Sequence, residues 1–435
     1  MNTLHTIIML CAAGVAASGS ARAEEWTLDR CIDYAVENNI SVKSAALRIR
    51  SSENDITAAK DAFLPTLDAS ASESFNFGRG LTSENIYANR NTSNFQWGVS
   101  LNLPIFQGLG EYRRLKVAKA SLQQMLYEHE AAKDNVALNV ISQYLQVLYC
   151  REVEQSASSQ ASYSAYEVER RRVLAEEGKI AEADLYDAEA QAAQDRLQVI
   201  TAQNDTQIAL VNLANLLQLK SVEGFDVAPL DEPDPLLPRP ETVFDDAMRI
   251  NNGILGARQA IRTADENISL AKSGYIPTLS FNAGLGSSYY RLSGLDNDPF
   301  SRQMRNNFST YFGFSLRVPI FDAFSTRNSV RTARIRHLDA GLQLEQLESD
   351  LYKNIRLAYY QASGARERYL TSEETLAKTR QSFEATREKY DLGRATPQDF
   401  ELAKNNLFRT EVSRIQARYE FLLRHRILHF YRSGM

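Results

Sequence analysis

The chain has 435 residues, a formal net charge of −5, 44% hydrophobic residues and 24% charged residues, a composition that folds and is neither a disordered tail nor a fibrous repeat. The mildly acidic balance leaves no basic footprint for nucleic acid, so none is expected as a partner. Beyond residue 23 no run of about 18 apolar residues occurs, which excludes a conventional helical membrane protein. It does not exclude a β-barrel, whose strands give a far weaker signal.

Residues 1–23 read as a secretory signal: an apolar stretch from Ile7 to Ala17, then an A-x-A cleavage pattern at Ala21-Arg22-Ala23. Leu10 stands where a small residue would precede a lipidated Cys11, which argues against a lipid anchor. Cys31 and Cys150 remain, too few for a disulfide framework, and are expected as unpaired, partly buried thiols.

The prolines organise the rest of the chain. Pro229, Pro233, Pro235, Pro238 and Pro240 crowd into an acidic linker over 220–240. Pro65 and Pro277 each begin a Pro-Thr-Leu triplet, while Pro104 and Pro319 each precede Ile-Phe; all four are expected at strand–helix junctions. No proline lies in 105–228 or 320–396, which leaves room for very long helices. The same positions expose a duplication. Ala59-Lys60 through Pro65-Thr66-Leu67 recurs in the second half as Ala271-Lys272 through Pro277-Thr278-Leu279. Ser100-Leu101-Asn102-Leu103-Pro104-Ile105-Phe106 recurs as Ser315-Leu316-Arg317-Val318-Pro319-Ile320-Phe321, and Gly178 and Asp184 recur as Gly393 and Asp399, all at one constant offset. The first repeat spans 24–219 and the second 241–435.

Between the two proline motifs of each half the hydrophobic period becomes 2. Strands are expected at about 67–78, 94–104, 279–290 and 308–318, each near the length a tilted strand needs to cross hydrocarbon. Phe95, Trp97, Val99, Leu101 and Leu103 alternate with Asn94, Gln96, Gly98, Ser100 and Asn102. Glu73 breaks the apolar register of the first strand. Such alternation also suits a half-buried soluble sheet, but bulky aromatics near the strand ends and export favour a membrane sheet. The connections 78–93 and 292–307 are long and polar, as cell-surface loops are.

A helix over about 41–63 precedes the first strand. From Glu111 to Glu177 there is neither Gly nor Pro, enough for about 100 Å of helix. A turn at Gly178 and a return helix over 181–218 follow; the second half repeats the plan with a helix over 323–390, a turn at Gly393 and a return over 396–431. Narrow apolar seams, Val136, Val140, Tyr144 and Val147 on one helix and Ile208, Val211 and Leu216 on another, suit coiled-coil contacts. The fold class is therefore α+β and mainly helical, with two antiparallel transmembrane strand pairs per chain carried on very long helices. Four strands cannot close a barrel, and open edges in lipid cost several kcal/mol per backbone group, so two, three or four copies are required.

The duplicated plan, the paired proline junctions and the turn Leu392-Gly393-Arg394-Ala395-Thr396 resemble the TolC-type outer-membrane efflux proteins across essentially the whole mature chain. The resemblance implies a homotrimer in outer-membrane lipid, with a twelve-stranded barrel on a twelve-helix periplasmic tunnel. It implies docking of a periplasmic adaptor (membrane fusion) protein at the tip turns, Gly178 and Lys179 in one half and Gly393 and Thr396 in the other. An inner-membrane RND or ABC transporter would complete the assembly. Asp184 and Asp399 match the family's tip aspartates, while Tyr390 and Arg394 match or neighbour residues that tie adjacent helices together. Six carboxylates around one axis would favour cations. Asp399 also fits a plain cap, since Thr396-Pro397-Gln398-Asp399 reads as a helix start, and the two roles are compatible. Two departures stand out: Leu402 where a second acid often follows, and Glu177-Gly178-Lys179 in place of an apolar-flanked glycine.

No enzyme, cofactor or metal site is expected. His425 and His429 have i, i+4 spacing but no third ligand, and Gly108-Leu109-Gly110 lacks the third glycine of a dinucleotide loop. Arg170-Arg171-Arg172 is expected on a solvated helix face. The function so read is a passive exit duct for efflux or type I secretion; the rival is a structural coiled-coil shaft or adhesin on a small barrel.

Overall fold

The computed structural model describes residues 25–81, 85–89, 91–230 and 236–434. The expected signal segment, Pro233 and Pro235 lie outside the described residues. In chain order the elements are β1 (Glu25–Trp26), α1 (Leu28–Asn38), α2 (Ile40–Asp61), β2 (Thr66–Asn76), β3 (Arg79–Leu81), β4 (Tyr87–Asn89) and β5 (Thr92–Gln107). Next come α3 (Gly110–Glu176), α4 (Glu182–Leu216), β6 (Asp226–Val227), α5 (Pro240–Ile250) and α6 (Asn252–Lys272). The chain ends with β7 (Thr278–Leu292), α7 (Phe300–Asn306), β8 (Ser309–Arg317), α8 (Ser325–Asp391) and α9 (Pro397–Ser433). No described helix is long and apolar enough to cross a membrane.

The chain forms two compact units, and each draws on both sequence repeats. One comprises 40–135, 238–360 and 427–435 and holds the large sheet. Its strand order is β2-β5-β7-β8, antiparallel throughout. The two expected strand pairs are thus joined into one sheet through β5 and β7. Because facing residues of an antiparallel sheet share a side, the register sorts the side chains completely. Leu67, Leu101, Ala283 and Phe312 form one row, and the adjacent row, Asp68, Ser100, Gly284 and Tyr311, lies on the other face. One face is therefore a band of mainly Leu, Ala, Val and aromatics, interrupted by Glu73, Ser93, Ser287 and Thr310, and the other is mainly hydroxyls, amides and glycines. Phe312 is 81% and Phe314 70% exposed, so toward β8 the band has no cover among the described residues. Glu73 faces Phe95 at the far end of this band, where its carboxylate accepts a hydrogen bond from Ser93 Oγ at 3.1 Å. That bond accounts for the acid in an otherwise apolar row.

The described parts of the polar connections hold regular structure. The first contains the β3–β4 hairpin and the second contains α7. β8 pairs with β7 only as far as Gly286, and beyond it α7 side chains take over the vacant backbone groups. Gln303 bonds both the N–H and the carbonyl of Tyr290, and Asn307 donates to the Ser288 carbonyl. Phe300 lands on Tyr289 and Phe95, ring centroids 5.2 and 5.8 Å apart.

The junctions show how strands become helices. Pro65 and Pro277 each sit one residue before a strand, and Pro319 lies just past β8. Pro104, expected at the end of its strand, is instead inside β5, at an irregularity of register between Pro104 and Phe106. A bulge tolerates the missing N–H, which is why the strand survives to Gln107. The reversal into α3 comes at Gly108 and Leu109, with φ of 59° and 65°, and its counterpart in the second repeat is Ala323 and Phe324, at 53° and 63°. The duplication thus extends to two consecutive left-handed residues. A Cβ on Gly108 would stand 2.9 Å from the Ser273 carbonyl oxygen, so this position needs glycine on two counts.

The other unit comprises residues up to 39, 136–237 and 361–426. Val136, Val140, Tyr144 and Val147 of α3 are buried, as the seam requires. On α4 the seam runs through Ala202, Thr206, Ala209 and Leu213 instead. Ile208 and Val211, expected in that seam, are each 50% exposed, because small alanines set the phase at which the helix approaches its neighbour. The Tyr144 hydroxyl lies 2.9 Å from the Trp26 carbonyl and 2.6 Å from that of Ala228, beside the β1–β6 pair. Cys31 and Cys150 are free and buried; burial pushes the Cys31 thiol up to about 12.

Candidate gate at the helix turns

Both long helices end in the same way. Gly178 and Gly393 each have φ of 70°, the left-handed conformation that only glycine adopts without strain. In the first turn Lys179 N–H bonds the Leu174 carbonyl and Gly178 N–H that of Ala175. In the second, Arg394 bonds Lys389 and Gly393 bonds Tyr390, the same pair of closures at the duplicated positions.

The return helices start differently. Thr396 and Asp399 form a reciprocal capping box: Asp399 N–H donates to Thr396 Oγ1 at 3.1 Å, and Thr396 N–H to Asp399 Oδ2 at 3.0 Å. The Thr396 side-chain bond, then its backbone bond, hold the Asp399 carboxyl below the usual carboxylate range. α4 has Ala181 at its cap position and no side-chain cap bond. The exposed Asp184 carboxylate has no partner among the described residues, although its backbone carbonyl accepts from Arg171 at 3.1 Å. Lys179 pairs with Glu177 at 2.6 Å, and the Arg394 side chain is exposed and unpaired among the described residues.

The hairpins α3/α4 and α8/α9 are fastened by a ladder of polar side chains. Nearest the turns, the Tyr390 hydroxyl donates to Glu167 Oε2 at 3.1 Å while its ring stacks on Phe400, centroids 4.8 Å apart. Arg170 lies 4.7 Å over that ring and pairs with Asp391 at 3.0 Å. Burial first, then the Glu167 charge, push the Tyr390 phenol above its ordinary value. One level up, Lys404 Nζ reaches Ser164 Oγ at 2.7 Å, Asp195 Oδ2 at 3.3 Å and Glu401 Oε2 at 2.7 Å, with Ser164 also bonded to Asp195. Lys404 and Asp195 are each 1% exposed. Gln160 then bonds Asn405, Ser156 bonds Glu411, and Glu152 takes Arg414 and Arg418.

The structure thus brings Tyr390, Gly393, Arg394, Thr396 and Asp399 into one turn, and Gly178, Lys179 and Asp184 into the other. Tyr390 engages Glu167, not an aspartate of either turn. The arginine run is not the solvated face expected: Arg172 is exposed, but Arg171 is 5% exposed and Arg170 is held over Tyr390. Sequence reading passed over Asp195 and Lys404 and placed Glu167 with the arginine run on a solvated face; all three are charged residues inside long polar helices with no local mark of burial. One clue was available: Glu167 shortly precedes Gly178 on the same helix, within reach of the turn it fastens. Among the described residues no group of three or more His, Cys, Asp or Glu side chains is placed to hold a metal ion.

The family model for outer membrane efflux proteins matches residues 31–218 and again 244–428, one segment in each repeat. The outer membrane efflux protein BepC of Brucella suis is 27% identical over 413 residues, covering 94% of this chain and 86% of that protein. The outer membrane protein TolC of Vibrio cholerae serotype O1 is 22% identical, covering 94% and 91%. Among solved structures, the Campylobacter jejuni CmeC outer membrane channel superposes with a TM-score of 0.76 at 19% identity, covering 94% of this chain and 86% of that one. CusC gives 0.75 at 16% identity, covering 94% and 92%. These likenesses fix the fold as that of one subunit of such a channel. The chain belongs to the outer membrane efflux protein family, a non-catalytic exit duct of the outer membrane with a periplasmic extension, serving tripartite efflux or secretion.

Proposed function

We propose that three copies close the sheet into a twelve-stranded barrel continued by a twelve-helix periplasmic tunnel. The observation that carries this is the sheet itself: four strands, one apolar face covered only at its far end by Phe300 among the described residues, and two edge strands, β2 and β8, with no partner among the described residues on their outer sides. In hydrocarbon each unpaired edge group costs several kcal/mol, and only a closed ring removes all of them. The smallest known membrane barrels have about eight strands, and the family resemblance selects three copies over two or four.

The helix turns are the mobile end of the duct. The hairpins separate where Tyr390–Glu167 and Arg170–Asp391 join them, while the deeper Lys404 cluster stays fastened. For the Arg170–Asp391 pair burial supports this division: Asp391 is 54% and Arg170 28% exposed, against 1% for Lys404 and Asp195. Asp184 and Asp399 face the aperture, Asp399 while also capping α9, and Arg394 stands beside it. A periplasmic adaptor docks at Gly178, Lys179, Gly393 and Thr396, and an RND or ABC transporter of the inner membrane supplies the energy. Cells are cross-linked, the outer membrane is extracted in detergent, and proteins co-purifying with this chain are identified by mass spectrometry. An adaptor and a pump are expected; an assembly of this chain that never carries an adaptor overturns the reading.

A further inference from the structure

A groove of about 820 Å³ runs between α8 and α9, beginning at the second turn. Lys378, Lys389, Arg394 and Arg409 line it. All four are exposed, and among the described residues none of these side chains has an ion pair or hydrogen bond. Asp399 is its one lining carboxylate, and that group is committed to Thr396. The other acids of this stretch turn elsewhere: Glu384 pairs with Arg387, Asp391 with Arg170 and Glu401 with Lys404, and Glu388 is not among the lining residues. The floor is apolar, with Phe383 and a 63% exposed Leu402, and Thr379, Thr386 and Thr410 supply hydroxyls at the walls.

Although Phe383 of its floor packs against Tyr163 of α3, the side chains that α3 and α4 grip by hydrogen bonds, Tyr390, Lys404 and Asn405, are absent from its lining. Nor is the charge a by-product of duplication. In the first repeat the positions equivalent to Lys378, Lys389 and Arg409 hold Tyr163, Leu174 and Gln194, and only Arg394 has a cationic counterpart, Lys179. Set against Asp399, the four cations leave three net positive charges per chain. Of the matching first-hairpin positions, the exposed Asp184 and Asp187 are acidic and Lys179 is taken up by Glu177, which still leaves one.

We propose that the periplasmic aperture of this channel is an anion-attracting vestibule that favours anionic organic cargo, molecules bearing carboxylate, sulfate or phosphate groups on an apolar frame. The inference rests on the reading above that Asp399 faces the aperture, since the groove shares that wall. An aspartate ring alone would select cations, but rotational symmetry multiplies the unpaired Lys and Arg as well, and they outnumber it. A ring of Lys and Arg in a narrow, low-dielectric passage concentrates anions and repels cations. The apolar floor gives the organic part of such a molecule a surface to lie on.

The purified full-length assembly is inserted in a planar bilayer under a tenfold KCl gradient and its reversal potential is measured. Chloride is expected to permeate at least roughly three times more readily than potassium, and inorganic pyrophosphate, not Mg²⁺, to lower the current. K378E/R409E is expected to reverse the preference and abolish the pyrophosphate effect, and K378Q/R409Q to bring it close to unity should the first variant fold poorly. A conducting channel that prefers potassium, or one whose selectivity neither variant alters, overturns the vestibule while leaving the duct intact. Absence of any conductance even in Tyr390→Phe, which loosens the closed turns, overturns the duct and the vestibule together.

Discussion

Tyr390→Phe removes one hydroxyl and little else, because the ring keeps its stacking on Phe400 and its place beneath Arg170. The loss falls mainly on Glu167, which is 4% exposed and among the described residues keeps Arg170, 3.6 Å away, as its charged partner, and also on the buried Arg171 beside the hydroxyl. Hydrogen bonds to charged groups contribute about 1.5–3 kcal/mol, and with that residual ion pair about 2 kcal/mol is the fitting figure here. If the bond exists only while the hairpins are together, the closed state loses that amount and the open state nothing. The open-to-closed ratio then rises about thirtyfold, since about 1.4 kcal/mol is a factor of ten. Single-channel recording in a planar bilayer reads this as open probability, and thermal denaturation of the same sample reads total stability. A variant that melts earlier yet opens no more often refutes the reasoning, because the bond would then persist in both states.

Three further perturbations test other parts of the structure. Gly108→Ala forces a side chain into a left-handed residue and against the Ser273 carbonyl, costing about 2–4 kcal/mol, whereas Ala323→Gly at the equivalent position relieves strain and gains up to about 1 kcal/mol. Opposite shifts of the thermal midpoint are the expected result. Lys404→Met strands the buried Asp195 and costs about 3–5 kcal/mol, while K404M/D195L recovers most of it, a double-mutant cycle read by thermal or denaturant unfolding. For Asp399 the folded-state pKa is depressed, so its capping bonds are fully present above the ordinary carboxylate pKa and are lost as pH falls through the lower folded value. Asp399→Ala should therefore lower the melting midpoint at pH 7, and the gap to the native chain should close only below about pH 4.

Much of this architecture is legible in the sequence because it is written in short-range periodicity. Strict alternation from Phe95 to Leu103 fixes which face of β5 is apolar, and the proline-free stretches permit helices of 67 residues in each half. Gly178 and Gly393 declare their turns because a left-handed residue closing a helix is a local demand. Pro104 misled for a similar reason: as a local signal it ends a strand, but a bulge in the pairing with β7 accommodates it. The phase of α4 was misread at Ile208 and Val211 because the seam is built from alanines, whose close approach no hydrophobicity pattern advertises.

The fastening of the two hairpins lay further out of reach. Lys404 sits in a stretch rich in polar residues, and its local pairing with Glu401 is what an exposed helix face would show; the partners that bury it are 240 and 209 residues away, at Ser164 and Asp195. Glu167 and Arg171 look like members of an exposed charge run until Tyr390 and the Asp184 carbonyl are brought to them by tertiary contact. The basic groove was hidden for the same reason. Lys378, Lys389, Arg394 and Arg409 spread over two helices become one surface only when α8 and α9 lie side by side.

The central claim is that a four-stranded sheet with two open edges is completed by copies of itself into a channel. Native mass spectrometry of the assembly extracted from the outer membrane in mild detergent tests this most directly, because it counts chains. The account requires three, and a stable complex of one or two chains, which would leave a membrane sheet unclosed or too small to line a duct, would contradict it.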